Sequence, residues 1–375
     1  MIKNKVITLM LILGISVSAF AQRKTENIII VTLDGMRWQE VFGGADSVLL
    51  RNKKYTKDSV GTNKKFWSTD LSERRKKLFP FLWSVVMKNG QLHGNRNEGS
   101  FVNVANPYSF SYPGYNEIFT GYPDTAVNSN DKIKNKNINV LEFLNQQNGF
   151  EGKVAAFSTW DAFPYILNKW RSGVYVNSDV DSLKFSDKSL SLINDLQFLA
   201  AKPIDVRLDV LTYMAAREYM KAYQPRVLYI AFDETDDFAH GGEYDQYLKS
   251  AHAEDAMIAD LWNYIQSSPK YKDKTTLLIT CDHGRGDLVK DNWRHHGQKI
   301  PEASQIWVAA MGPDTEALGE IKSSEQLYQK QFAATIARLL GFNFTANHPV
   351  ADPVIGLMKN KTKNKMNYGS TVSGF

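Results

Sequence analysis

The stretch TTLLITCDHGRGD, residues 275–287, decides the reading of the fold. Its first seven residues are too few for a stable helix and too continuously apolar or β-branched for a strand wetted on one face. They read as a strand buried on both faces, the pattern of a parallel sheet covered by helices. Four more runs repeat it: NIIIVTLDG (27–35), KVAAFST (153–159), RVLYIAFDE (226–234) and QIWVAAMG (305–312).

Between these runs lie helix-like stretches: PFLWSVVMKNG (80–90) and NVLEFLNQQNG (139–149), each stopped by glycine, then DVRLDVLTYMAAREYMKAY (205–223) and YDQYLKSAHAEDAMIADLWNYIQSS (244–268). The last carries Leu248, Ala251, Ile258, Leu261 and Ile265 on a three-to-four spacing, interrupted by Asp255. Strand and helix in alternation predict an α/β fold, a mostly parallel central sheet with helices on both faces. Residues 43–76, rich in Gly, Ser, Asp and Lys, read as a surface excursion, and the Asn-rich 123–139 as a loop near the site. The organisation expected is a signal peptide over 1–21 and one domain over 22–375, with a polar tail from about 359.

The first 21 residues place Lys3 and Lys5 before a short apolar run that ends Ala19-Phe20-Ala21, the small-x-small pattern of a cleavage site. That run falls short of the roughly 20 residues that cross a bilayer. The expectation is a Sec-type signal of bacterial kind and a periplasmic or secreted protein, with no membrane span after cleavage. Cleavage removes two lysines from a formal charge of +5, a balance too mild for a nucleic-acid-binding patch. With Cys281 as its one cysteine, the chain has no internal disulfide and relies on a core that 43% hydrophobic residues can supply. Nothing in the sequence fixes the oligomeric state.

In an open parallel sheet, ligands bind beyond the carboxyl ends of the strands. Those ends carry Asp34, then Asp236 and His240 in DETDDFAH, then Asp282 and His283, with His295 and His296 soon after in NWRHHGQK. Four of the chain's seven histidines fall in the last three places. Singly, an aspartate after a strand is most often a cap and a loop histidine is solvated. Gathered, Asp and His are the donors of zinc and other divalent cations, in numbers that suffice for two. A nucleophile is offered by NPYSFSYPGYNEIFTGYPD (106–124), where Ser111 opens a helix-like run. A hydroxyl there faces a helix N-terminus that favours anions, and metal coordination activates it. Ser111 also reads as a plain N-cap, and Ser109 and Thr120 are rival hydroxyls.

These residues resemble the alkaline phosphatase superfamily, and within it the type I phosphodiesterase/nucleotide pyrophosphatase branch. The branch has Asp-Gly after its first strand, a nucleophile in Thr-Phe-Pro-Asn-His, Asp-x-x-x-His, Asp-His-Gly and a later His-Gly. This chain has Asp34-Gly35, Ser111-Tyr112-Pro113-Gly114-Tyr115, Asp236 to His240, Asp282-His283-Gly284 and His296-Gly297 in the same order. The resemblance implies two divalent ions, zinc foremost. Asp236, His240 and His296 would hold one, Asp34, Asp282 and His283 the other, with Ser111 between them and a covalent phospho-enzyme on the path. The glycine after it selects His296 over His295. Asn128 and Asn130 both fall near the place where the family has an asparagine that holds a phosphoryl oxygen, and Asn130 is the one preferred.

Serine stands for the branch's threonine, and Gly114-Tyr115 for its Asn-His. The implied activity is hydrolysis of a small phosphate ester, foremost a diester. A phosphomonoesterase or phosphoglycerate-mutase-like enzyme, a sulfatase, and a metal-binding protein without turnover are the other readings. Trp160 resembles the aromatic of the diesterases, whereas Lys169 and Arg171 would favour monoesters if they reached the cleft. His93, His252 and His348 read as loop or solvated positions, and Arg285 and Asp287 as cleft-rim residues.

Overall fold

A computed structural model describes residues 24–183, 188–202 and 205–359; the expected signal peptide and nearly all of the polar tail lie outside them. Among the described residues the strands are β1 (Asn27–Leu33), β2 (Gly90–His93), β3 (Phe101–Asn103), β4 (Val154–Ser158), β5 (Tyr175–Ser178), β6 (Val227–Phe232), β7 (Thr275–Thr280), β8 (Gln305–Ile306), β9 (Val308–Met311), β10 (Gly319–Glu320) and β11 (Gln326–Tyr328). Eight form one sheet in the order β10-β2-β9-β7-β1-β6-β4-β5, and β11-β3-β8 form a small second one. The run β7-β1-β6-β4-β5 is parallel throughout. β9 alone in the large sheet runs against its neighbours β7 and β2.

The core strands are apolar because both their faces are covered. Every residue of β1, β6 and β7 is buried. Helices fall into two packed groups, one built on Asp209–Tyr223 and Tyr244–Ser267, the other on Ser111–Thr120, Val140–Asn145 and Phe332–Leu339. In Tyr244–Ser267 the expected stripe from Leu248 to Ile265 is buried.

Four expectations are corrected. Residues 43–76 hold helices Ser47–Arg51, Ser59–Phe66 and Leu71–Leu78, begun by Asp46, Asp58 and Asp70, whose carboxylates accept first-turn N–H groups. QIWVAAMG is two strands of different sheets, divided at Trp307. The run 80–90 contains a π-helical turn, Leu82–Val86, and its glycine opens β2 instead of merely ending a helix. That strand buries His93 against Gln91, and His252 is half-buried, its Nδ1 3.0 Å from the Leu78 carbonyl, so neither is a solvated loop residue.

Candidate metal and phosphoryl-transfer site

Strand register gathers the site. β1 lies between β6 and β7, with Leu33 opposite Phe232 and Thr32 opposite Thr280, so three chains leave the sheet at one level. Asp34, Asp236, Asp282 and His283 follow within four residues of those ends. His283 Nε2 lies 3.4 Å from Asp34 Oδ1, 3.4 Å from Asp282 Oδ2 and 3.7 Å from Asp236 Oδ1. Helix Glu234–His240 places Asp236 and His240 one turn apart on one face, Oδ2 and Nε2 3.1 Å apart. His296 completes the ring: its Nε2 is 2.9 Å from that of His240, and its imidazole stacks on His283 at 4.0 Å between centroids.

Ser111 is the first residue of helix Ser111–Thr120, not its cap; Phe110 occupies the cap position without a side-chain bond. The serine Oγ is buried 3.4 Å from His283 Nε2. Thr120 lies at the far end of that helix, its hydroxyl donating to the Asn116 carbonyl at 2.7 Å. Ser109 sits at a left-handed φ of 50°, its N–H bonded to Asn106. The helix reaches so close to β7's exit that a Cβ on Gly114 would stand 2.5 Å from the Asp282 carbonyl oxygen. Glycine at 114 is what this approach requires.

The electrostatics are those of crowded, buried acids. Burial, then Asp282 and Asp236, push the Asp34 carboxyl well above the usual carboxylate range. Burial likewise raises Asp282, with His283 opposing. Burial acts upward on Asp236 too, but Arg285, His240 and His296 together hold it well below that range. Burial, and then His283, push the His296 imidazole well below its ordinary value. Asp34 Oδ1, Asp282 Oδ2 and His296 Nδ1 are buried and lack hydrogen-bond partners. Unpaired buried carboxylate oxygens of this kind are costly, and a cation satisfies them. Donor atoms of Asp236, His240 and His296, and of Asp34, Asp236 and His283, lie within 4.8 Å of one another in each set, so the residues fit divalent ions. The carboxylate of Asp236 enters both sets, where the sequence assigned it to one.

Asn130 is exposed on the 123–139 loop, and its Oδ1 accepts the Tyr112 N–H at 2.9 Å, one residue past Ser111. His295 is exposed and enters neither donor set. Arg171 turns away: its guanidinium binds both oxygens of Glu142 at 2.8 Å and the carbonyls of Asn135, Lys136 and Asn137. Lys169 stands over the Trp170 ring, 3.9 Å from Asp181. Trp160 packs edge-on against Phe163, and Phe163 against Tyr115.

Three residues support the site in ways the sequence did not show. Asp209 accepts the Asp233 and Glu234 N–H groups at 3.0 and 3.1 Å, fixing the start of the Asp236 helix. The Tyr115 hydroxyl donates to Asp34 Oδ2 at 2.8 Å. Arg285, expected at the rim, is fully buried and pairs with Asp236 Oδ1. For Arg285 the signal was its place directly after Asp-His-Gly; for the other two, residues far apart in sequence meet only in the fold.

This architecture is that of the alkaline-phosphatase-like proteins. The chain is similar to wild-type alkaline phosphatase PafA at TM-score 0.61 and 11% identity, covering 91% of this chain and all of that one. It is similar to the lipoteichoic acid synthase LtaP from Listeria monocytogenes (TM-score 0.55, 14% identity, 86% and 73% covered) and to BT1596, a 2-O GAG sulfatase (0.53, 14%, 90% and 75%). No curated protein matches the sequence. Residues 45–339 match the type I phosphodiesterase / nucleotide pyrophosphatase family, and the chain belongs to that family of phosphate-ester hydrolases.

Proposed function

We propose that the protein is an exported, metal-dependent phosphodiesterase in which Ser111 is the nucleophile. One observation carries the reading: the buried Ser111 Oγ lies 3.4 Å from His283 Nε2, among three aspartates that present unpaired or histidine-facing oxygens. Asp236, His240 and His296 would hold one divalent cation, and Asp34, Asp282 and His283 the other, with zinc suited to the Asp/His donor set. Such a pair lowers the pKa of a hydroxyl between its members and neutralises charge on the entering and leaving oxygens.

Ser111 Oγ attacks phosphorus in line. The Oγ–P bond forms as the ester P–O bond breaks, and the alcohol leaves with the electron pair and takes up a proton. Water then attacks the seryl phosphodiester that remains, the Oγ–P bond breaks, and a phosphate monoester is released with Ser111 restored. Asn130 accepts the Tyr112 N–H through its Oδ1, and its amide nitrogen donates to a phosphoryl oxygen. The position of Ser111 at a helix N-terminus favours the anion. A diester fits better than a monoester because Arg171 is committed to Glu142 and cannot read a second phosphate charge. Export rests on Lys3, Lys5 and the Ala19-Phe20-Ala21 pattern, and N-terminal sequencing of the mature protein should begin at Gln22.

The activity test compares bis-p-nitrophenyl phosphate, p-nitrophenyl phosphate and p-nitrophenyl sulfate, with and without chelator. The diester should be hydrolysed fastest, activity should vanish with chelator and return with zinc, and Ser111→Ala should lower kcat by at least about a thousandfold. Full zinc-dependent turnover by Ser111→Ala would remove the nucleophile assignment, and a folded, metal-loaded protein inert to all three esters would favour a binding role.

A further inference from the structure

The three site aspartates share one arrangement. Each has one carboxylate oxygen taken by a donor of the protein itself. Tyr115 Oη–H donates to Asp34 Oδ2 at 2.8 Å, the Gly35 N–H to Asp282 Oδ1 at 3.1 Å, and the Arg285 guanidinium to Asp236 Oδ1. The opposite oxygens of Asp34 and Asp282 are buried without a hydrogen bond, each 3.4 Å from His283 Nε2, and that of Asp236 faces His240. A carboxylate held in this way offers a single oxygen in a fixed direction. Outer donors of this kind orient metal ligands, and their loss typically weakens metal binding ten- to a hundredfold.

Two of the three donors are side chains, Tyr115 and Arg285, since the Gly35 donor is backbone, and of these two Tyr115 shares its helix with Ser111. Tyr115 is wholly buried on the second turn of the helix that begins at Ser111, so one helix carries both the nucleophile and the donor to Asp34. Its ring is fixed edge-on against Phe163 at 4.6 Å, which leaves the hydroxyl little freedom to turn elsewhere. Tyrosine also stands where the branch's motif has histidine, so the contact belongs to this chain's version of the site.

We infer that Tyr115 is a positioning residue: its hydroxyl pins Asp34 Oδ2 so that Oδ1 alone is presented to a divalent cation, in register with Ser111 on the same helix. The inference rests on the metal-site reading given above. Phenylalanine preserves the ring and its packing and removes only the donor.

The test is zinc binding by metal-free protein, measured by competition with a chromophoric chelator, together with the melting temperature in chelator. The parent should take up two equivalents. Tyr115→Phe should weaken one binding step by roughly tenfold or more and leave the other within twofold, while the metal-free protein still melts cooperatively within a few degrees of the parent. In an Asp34→Asn background the same substitution should change neither step by more than twofold, because the hydroxyl acts through Asp34. Two outcomes overturn the inference while leaving the site reading intact: parent-like binding by a folded Tyr115→Phe, or an undiminished effect in the Asp34→Asn background. A parent protein that binds no zinc overturns the site reading itself, and the inference with it.

Discussion

At the scale of single residues, the site is held by close approaches that tolerate little change. Gly35 has a φ of 58°, and a Cβ there would stand 2.6 Å from Asp236 Oδ1 and 2.8 Å from Arg285 Nε, so glycine leaves room for the buried ion pair. Arg285 is locked by its bonds to the Arg294 and Asp236 carbonyls as well as to the Asp236 side chain. Removing one partner of a buried pair strands the other, at about 3–5 kcal/mol. Arg285→Met should therefore destabilise the metal-free protein by that order in urea unfolding, and Arg285→Lys by less. A change under about 1 kcal/mol for Arg285→Met would mean that Asp236 does not depend on it. Little of this was legible in the sequence, where Arg285 read as a rim residue. Motif order picks out groups that must bind something, but not which cation inside the protein partners a given carboxylate.

At the scale of elements, Asp255 explains its own interruption of an apolar stripe. Its carboxylate accepts the Phe81 and Leu82 N–H groups at 2.7 and 3.0 Å, capping the neighbouring helical segment from within the long helix. Burial raises its pKa from 3.8 to about 7. A carboxyl with a raised folded-state pKa is neutralised earlier in the folded protein than in the unfolded one. Its burial penalty is thus full above about pH 7 and relieved as pH falls toward 4. Asp255→Asn carries no such penalty, so parent and variant should differ most at pH 8, in the variant's favour, and converge or reverse by pH 4. The change across that window should be on the order of 4 kcal/mol in urea unfolding of metal-free protein. A difference that stays flat from pH 4 to 8 would show that Asp255 ionises normally.

The elements that the sequence exposed were those with a repeating apolar signal: the buried strands and the long helix. β2 escaped because its four residues hold one large apolar side chain, Leu92, and it is made by pairing with the distant β9 and β10. The helices over 43–76 escaped because their composition is that of a loop, although Asp70 and Glu73 stand at the spacing of a helix start.

At the scale of the whole molecule, the candidate site follows from sheet order. β1 is central, flanked by β6 and β7, and residues 34, 236 and 282–283 come together because those three strands end together. This part was readable, since an open parallel sheet puts its ligands at carboxyl ends. The loop from 123 to 139 was read as lying near the site, and in the fold Arg171 pins it through three carbonyls while Asn130 accepts the N–H of Tyr112, next to Ser111.

The most direct measurement is anomalous diffraction at the zinc edge from crystals grown with zinc. Two peaks about 4 Å apart, one beside His240 and His296 and one beside Asp34 and Asp282, with Ser111 Oγ between them, are the predicted result. Well-ordered crystals in saturating zinc with no peak among these side chains, or with peaks only elsewhere, would contradict it.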